Sequence, residues 1–277
     1  SGLVGSEMCI RDSFNAHAST EPFSLAPETM RLLEIAREVG QLSDGAFDVT
    51  VGPLVEAWGF GPAGPAPGPP SAATLAAARR RVGQDFLRLD AGAGTVAKRR
   101  PDVACDLSAL APGWTADRIA VALGDLGHRH FIVVIGGEVV ARGRRVDGTR
   151  WRVAVESPGQ PRERATILAL ENTAVATSGD YRNAWVDEGG RRRSHLIDPR
   201  TGAPAAHGLA SVTVVHQEGA WADALATALL VMGPEAAWEL ATERGLAVRL
   251  VARAEDGTYS VAATSRFEAL EWAGPEE

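Results

Sequence analysis

Apolar residues recur at helical spacing from Pro27 to Val39, with Met30, Leu33, Ile35, Ala36 and Val39 on one side and Pro27 suited to a first turn. Ser43-Asp44-Gly45 stops that helix. Ser71 is placed to cap a second helix through about Val82, and Phe86–Leu89 with Thr95–Lys98 predict a hairpin across Ala91-Gly92-Ala93-Gly94. The run Val103-Ala104-Cys105 reads as an apolar strand ending at Asp106, ahead of a helix from Thr115 to Leu126 with Ile119, Leu123 and Leu126 facing inward. Phe131–Ile135 reads as a buried strand ending in Gly136-Gly137. Further strands are expected at Trp151–Glu156, Thr166–Leu170 and Ala174–Thr177, then a hairpin from Trp185-Val186 through Glu188-Gly189-Gly190 to His195. Ser211–Val215 is a strand, Ala220–Met232 and Glu235–Arg244 are helices, and Val248–Val251 begins a last strand region that Tyr259 continues. Helices and strands mix without regular alternation, which predicts an α+β fold with largely antiparallel sheet and packed helices, in one domain.

The segment from Ser194 to Thr227 carries the densest chemistry. A short apolar-alternating run stops at Asp198-Pro199 and Thr201-Gly202, so His195 is expected at the end of a strand. The helix that follows is apolar on most faces, which implies burial all round. Asp223 and Thr227 stand four apart on one face of it. A buried carboxylate is costly unless a metal or ion partner compensates it. A helix cap and a cation ligand both fit Asp223 at this point. Two other stretches have the form of ligand-binding turns: Ala46-Phe47-Asp48, a pocket wall or a turn packed on the core, and Asp106, ahead of a loop that opens a helix. Gly136-Gly137 opens a strand rather than a helix, so it is no dinucleotide fingerprint.

With 277 residues and 45% hydrophobic content the chain can bury a full core. A net charge of -7 and the lack of a basic stripe interleaved with aromatics argue against a nucleic-acid partner. Arg191-Arg192-Arg193 is the densest basic cluster; it suits a solvated hairpin strand, and its place beside His195 also suits a phosphate-bearing ligand. The two cysteines, Cys9 and Cys105, make neither a disulfide framework nor a zinc site. Glu7 to Ser13 reads as a translation of the transposon mosaic-end adapter used in sequencing libraries, so residues 1–12 are expected to be adapter-derived and the natural N-terminus to be missing.

Five ordered motifs, Gly45–Leu54 with Trp58-Gly59-Phe60-Gly61, Asp106-Leu107-Ser108, Thr177–Arg182, Ser194–Gly202 and Ala222–Thr227, resemble the ApbE-like FAD:protein FMN transferases. The resemblance runs from about Ser13 to the C-terminus and implies the ApbE-like fold, related to the T-fold. Family members move FMN from FAD to a threonine or serine hydroxyl of an acceptor protein, often a subunit of a membrane-bound redox pump, using magnesium. The resemblance implies FAD contacts at Ala46, Phe47, Asp48, Asp106 and Ile197, and a metal site from the Ala109 carbonyl, Asp223 and Thr227. It thereby favours the ligand reading of Asp223. Pro112 occupies the FAD-contact position where the family usually carries Lys or another polar residue, so one nucleotide contact is lost or replaced. His195 is the expected general base, since an imidazole titrates near neutrality. Water in place of the acceptor would give an FAD pyrophosphatase, and a flavin-binding module without turnover is the reading from a different class. The resemblance further implies display on the periplasmic side, membrane-anchored.

Overall fold

Pro27 opens helix α1 (Pro27–Leu42), whose N-cap Ala26 makes no side-chain bond; proline in the first turn and burial of Met30, Leu33, Ile35, Ala36 and Val39 carry it instead. The computed structural model describes residues 12–61, 64, 68–156, 158, 165–180, 184–186, 192–254 and 256–274. The adapter-like stretch up to Arg11, much of the Gly61–Pro70 loop, Tyr181-Arg182 and the turn at 188–190 lie outside the described residues, as do the side chains of Arg191, Arg192 and Arg193. By contacts the chain divides into two units, residues 1–108 with 183–206 and residues 109–182 with 207–277.

In the first unit, strand β1 (Phe23–Ser24) precedes α1, and helices α2 (Gly52–Ala57) and α3 (Ala72–Arg79) follow it. Ser71 caps α3 as expected, its hydroxyl accepting from Thr74 N at 3.1 Å, although the helix ends at Arg79 rather than near Val82. The hairpin is present as β2 (Leu87–Asp90) and β3 (Thr95–Lys98), with β1 added along β3. Val103–Asp106 is not a strand. The Asn15 side-chain amide occupies both main-chain groups of Cys105, receiving its N–H at 2.7 Å and donating to its carbonyl at 2.9 Å, so a single side chain stands where a neighbouring strand would pair.

The second unit begins with α4 (Ala111–Asp125), one turn earlier than the Thr115 expected, because Pro112 sits in the first turn, where a missing N–H costs nothing. Strands β4 (Phe131–Ile135), β5 (Glu138–Arg142), β6 (Trp151–Val155), β7 (Thr166–Leu170) and β8 (Thr173–Gly179) follow. The first unit then contributes β9 (Ala184–Val186), β10 (Arg192–Ser194), β11 (Ile197–Asp198) and β12 (Ala203–Pro204). The second resumes with β13 (Leu209–His216), α5 (Gly219–Met232), α6 (Pro234–Glu243), β14 (Ala247–Arg253), β15 (Tyr259–Ala263) and α7 (Ser265–Glu268).

Its centre is a six-stranded antiparallel sheet in the order β15-β14-β13-β8-β5-β4. Alternation along β5 builds both faces. Val139 and Ala141 join Val155, Leu168, Leu170, Val175, Val215 and Phe267, whereas Val140 joins Ala116, Ala120, Val133 and Ala174 beneath α4. The expected α+β class with largely antiparallel sheet is therefore observed. Two inward assignments fail: Leu126, just past α4, is 76% exposed, and Val134 on β4 is 57% exposed. Strand β4 is an edge strand with one alternating solvent face, not a buried strand.

Candidate active site

In the first unit the turn after α1 is shaped by a buried serine. Ser43 Oγ accepts from Phe47 N at 3.1 Å and donates to Gly40 O, while Asp44 and Gly45 take positive φ values of 49° and 75°. Ala46 and Phe47 are buried, and the part-buried Asp48 carboxylate receives the N–H and the hydroxyl of Thr50, each at 2.7 Å. Burial pushes the Asp48 carboxyl above the usual carboxylate range, against the lowering effect of those two bonds. Asp106 joins the same place through its N–H to Val49 O at 2.6 Å, and its carboxylate receives Ser108 N. Two predicted FAD contacts, Asp48 and Asp106, are thus brought together.

His195 directly follows the last residue of β10, as expected, and its ring meets Phe60 edge-on with centroids 6.5 Å apart. The loop beyond it is tied down by Asp198, which is 8% exposed and forks onto Arg200 at 2.9 and 3.0 Å. Gly202, at φ 68°, returns its N–H to Asp198 O, and its own carbonyl accepts from Trp58 Nε1 at 2.9 Å. Ile197 is buried in the cluster of Leu54, Trp58 and Ala78. The Trp58-Gly59-Phe60 motif therefore serves the His195 loop: one ring anchors its end and the other borders the imidazole.

In the second unit, Asp223 lies in the helical body of α5 and is 6% exposed. It is not the cap, since the cap position is Glu218. Its Oδ2 accepts from Gly113 N at 3.0 Å, in the first turn of α4. Burial raises the Asp223 carboxyl well above its usual range, the charge of Glu138 adds to that, and the Gly113 N–H opposes it. Glu138, the first residue of β5, is itself only 8% exposed. A Cβ on Gly136 would stand 2.9 Å from Glu138 Oε2 and 3.5 Å from the Pro112 Cβ, so the Gly136 bend lets the carboxylate approach the start of α4. Thr227, one turn after Asp223, places Oγ1 3.0 Å from Ser178 Oγ on β8. Ala109 occupies the turn before α4.

These donors fit a hard divalent cation. Burial and the charge of Glu138 make ionisation of Asp223 costly, a cost that a bound cation would offset, and the hydroxyl of Thr227 and the carbonyl of Ala109 are oxygen donors of the kind magnesium takes. Among the described residues no three His, Cys, Asp or Glu side chains form a cluster that could hold a metal alone. Sequence reasoning missed Glu138, Gly113 and the Ser178 hydroxyl as neighbours of this site. The one available signal was Gly136-Gly137 immediately before an acidic residue.

The sequence profile of the ApbE family matches residues 11–250. The chain is 39% identical over 253 residues to the FAD:protein FMN transferase of Vibrio cholerae serotype O1, covering 91% of this chain and 75% of that relative. It is 38% identical to the FAD:protein FMN transferase of Haemophilus influenzae, covering 90% and 72%. Among solved structures, Flavin Transferase ApbE from Vibrio cholerae superposes with a TM-score of 0.84 at 37% identity, covering 94% of this chain and 82% of that one. The apo form of Pseudomonas stutzeri flavinyl transferase ApbE gives a TM-score of 0.85 at 35% identity, covering 98% and 88%.

Proposed function

The chain belongs to the ApbE family, and from that premise we propose that it transfers FMN from FAD to a Thr or Ser hydroxyl of an acceptor protein, releasing AMP. The observation that carries the reading is the buried Asp223 carboxylate, held by the Gly113 N–H beside Glu138 and one turn from Thr227, in a chain whose relatives bear that activity as their name. In the reaction the acceptor oxygen forms a bond to the FMN-side phosphorus, the pyrophosphate P–O bond breaks, and AMP leaves with the bridging oxygen. His195 takes the hydroxyl proton, and Phe60 beside it limits the orientation of the ring. Asp48, Asp106, Ala46, Phe47, Pro112 and Ile197 form the FAD-contacting set. Pro112 brings no charge and no donor to its place in that set, so one nucleotide contact is lost or replaced there.

Asp223, Thr227 and the Ala109 carbonyl would hold magnesium, which when bound supplies positive charge against the pyrophosphate. Asp223 is the charged side chain of that set, and Gly113 fixes the direction of its carboxylate. The same resemblance supports an acceptor among the subunits of membrane redox complexes and a place of action on the periplasmic side. Incubation with FAD, Mg²⁺ and a threonine-bearing acceptor tests the reading. Covalent flavin on the acceptor is expected; free FMN with AMP would mean a pyrophosphatase, and unchanged FAD a binding module.

A further inference from the structure

Helix α5 carries Asp223 and Thr227, and its cap residue Glu218 serves the first turn through its carbonyl, which accepts from Ala222 N at 3.1 Å, rather than through a side-chain cap. A carboxylate that meets this first turn comes from another helix. Asp117 Oδ2 accepts from Ala220 N at 3.0 Å, and Arg142 Nη2 stands 3.9 Å from Oδ1. Asp117 lies one helical turn beyond Gly113 on α4, and Asp223 lies one turn beyond Gly219 and Ala220 on α5. The two helices thus grip each other twice, through Gly113 N to Asp223 and through Asp117 to the first turn of α5. They meet backbone to backbone at the crossing, where a Cβ on Gly219 would stand 2.6 Å from Gly113 O.

Such a crossing leaves α5 little freedom to slide, and the Asp117 bond to Ala220 N holds its first turn from the α4 side. We infer that Asp117 is a positioning residue for the cation site, acting through the first turn of α5 on the aim of the Asp223 carboxylate. The inference rests on the reading of Asp223 as a cation ligand. Residues that orient a metal ligand from behind typically change metal affinity 10–100-fold when removed.

The test is a Mn²⁺ titration of the full chain, followed by the EPR signal of the free ion, beside fluorescence titration of FAD in EDTA and thermal melting. Wild type is expected to bind Mn²⁺, Asp223→Ala to lose it, and Asp117→Ala to weaken it at least about tenfold with FAD affinity unchanged. Asp117→Asn keeps an acceptor oxygen and is expected to return Mn²⁺ affinity to within about threefold of wild type. It also serves if the alanine variant does not fold: Asn binding Mn²⁺ tenfold more weakly than wild type would overturn the role of the acceptor oxygen. Wild-type binding with unchanged affinity in Asp117→Ala overturns the positioning role alone. A wild type that binds no Mn²⁺, with or without FAD, overturns the cation reading and this inference with it.

Discussion

Substituting alanine for two glycines of α4 should give opposite signs. A Cβ on Gly113 would overlap the Gly219 carbonyl oxygen and stand 2.5 Å from its carbon and 3.0 Å from Ala220 N, all backbone atoms of α5 that no rotamer change can move. Relief requires the helices to separate, and overpacking of this kind costs about 1–3 kcal/mol. With backbone on both sides the upper end applies, and at roughly 2–4 °C per kcal/mol for a chain of this size Tm should fall by about 6–12 °C. Separation also lengthens the Gly113 N–H bond to Asp223, so Mn²⁺ affinity should fall with Tm. Gly124, near the other end of α4, has nothing within 4 Å of its ideal Cβ. There alanine gains helix propensity of up to about 1 kcal/mol, and Tm should rise by up to about 2–4 °C. Differential scanning calorimetry of both variants decides the matter. A Gly113→Ala protein melting with wild type would show that the close crossing of α4 and α5 is not as described.

Replacing His195 by Gln should slow flavin transfer by roughly 10²–10⁴-fold with little change in FAD affinity, as titration with flavin alone would show; lost FAD binding with normal turnover would make the residue structural. Buried Cys105, its thiol pushed up to about 12 chiefly by burial, should resist a disulfide reagent at pH 8 in a folded Cys9→Ser protein and react on unfolding. His216 accepts Glu218 N at Nδ1, and burial lowers its pKa against the raising influence of Glu218 and Asp117. The unfolded chain therefore binds the proton more readily, so this contribution to stability is complete above about pH 6.5 and is lost as pH falls toward the lower folded value. Melting wild type and His216→Gln from pH 7.5 to 5 should show the difference between them shrinking on acidification, since Glu218 and Asp117 are common to both; a constant difference would refute it.

What could be read in the sequence was what depends on near neighbours. The α1 periodicity, the Ser71 cap and the Leu87–Lys98 hairpin all follow from residues within a few positions of one another. The apolar run around Asp223 announced burial of that carboxylate, and burial made it a candidate ligand. Contacts between distant segments were not legible. Nothing local links Asn15 to Cys105, so an apolar run read as a strand where an amide side chain pairs the backbone. Nothing local marks Glu138 as a neighbour of Asp223, or Asp117 as the partner of a helix that starts about a hundred residues later. The helix expected from Thr115 starts a turn earlier, with Pro112-Gly113 in the first turn of α4, and the glycine is required by the crossing with α5. Leu126 fits the helical stripe but falls past the last turn, where no layer covers it.

The central claim is tested most directly by counting products. An acceptor bearing one threonine site is incubated with the protein, FAD and Mg²⁺, and covalent flavin on the acceptor and AMP in solution are measured by mass spectrometry and chromatography. One AMP for each flavin attached is expected, with both absent for Asp223→Ala. AMP released without attached flavin, or attachment undiminished in Asp223→Ala, would contradict the account.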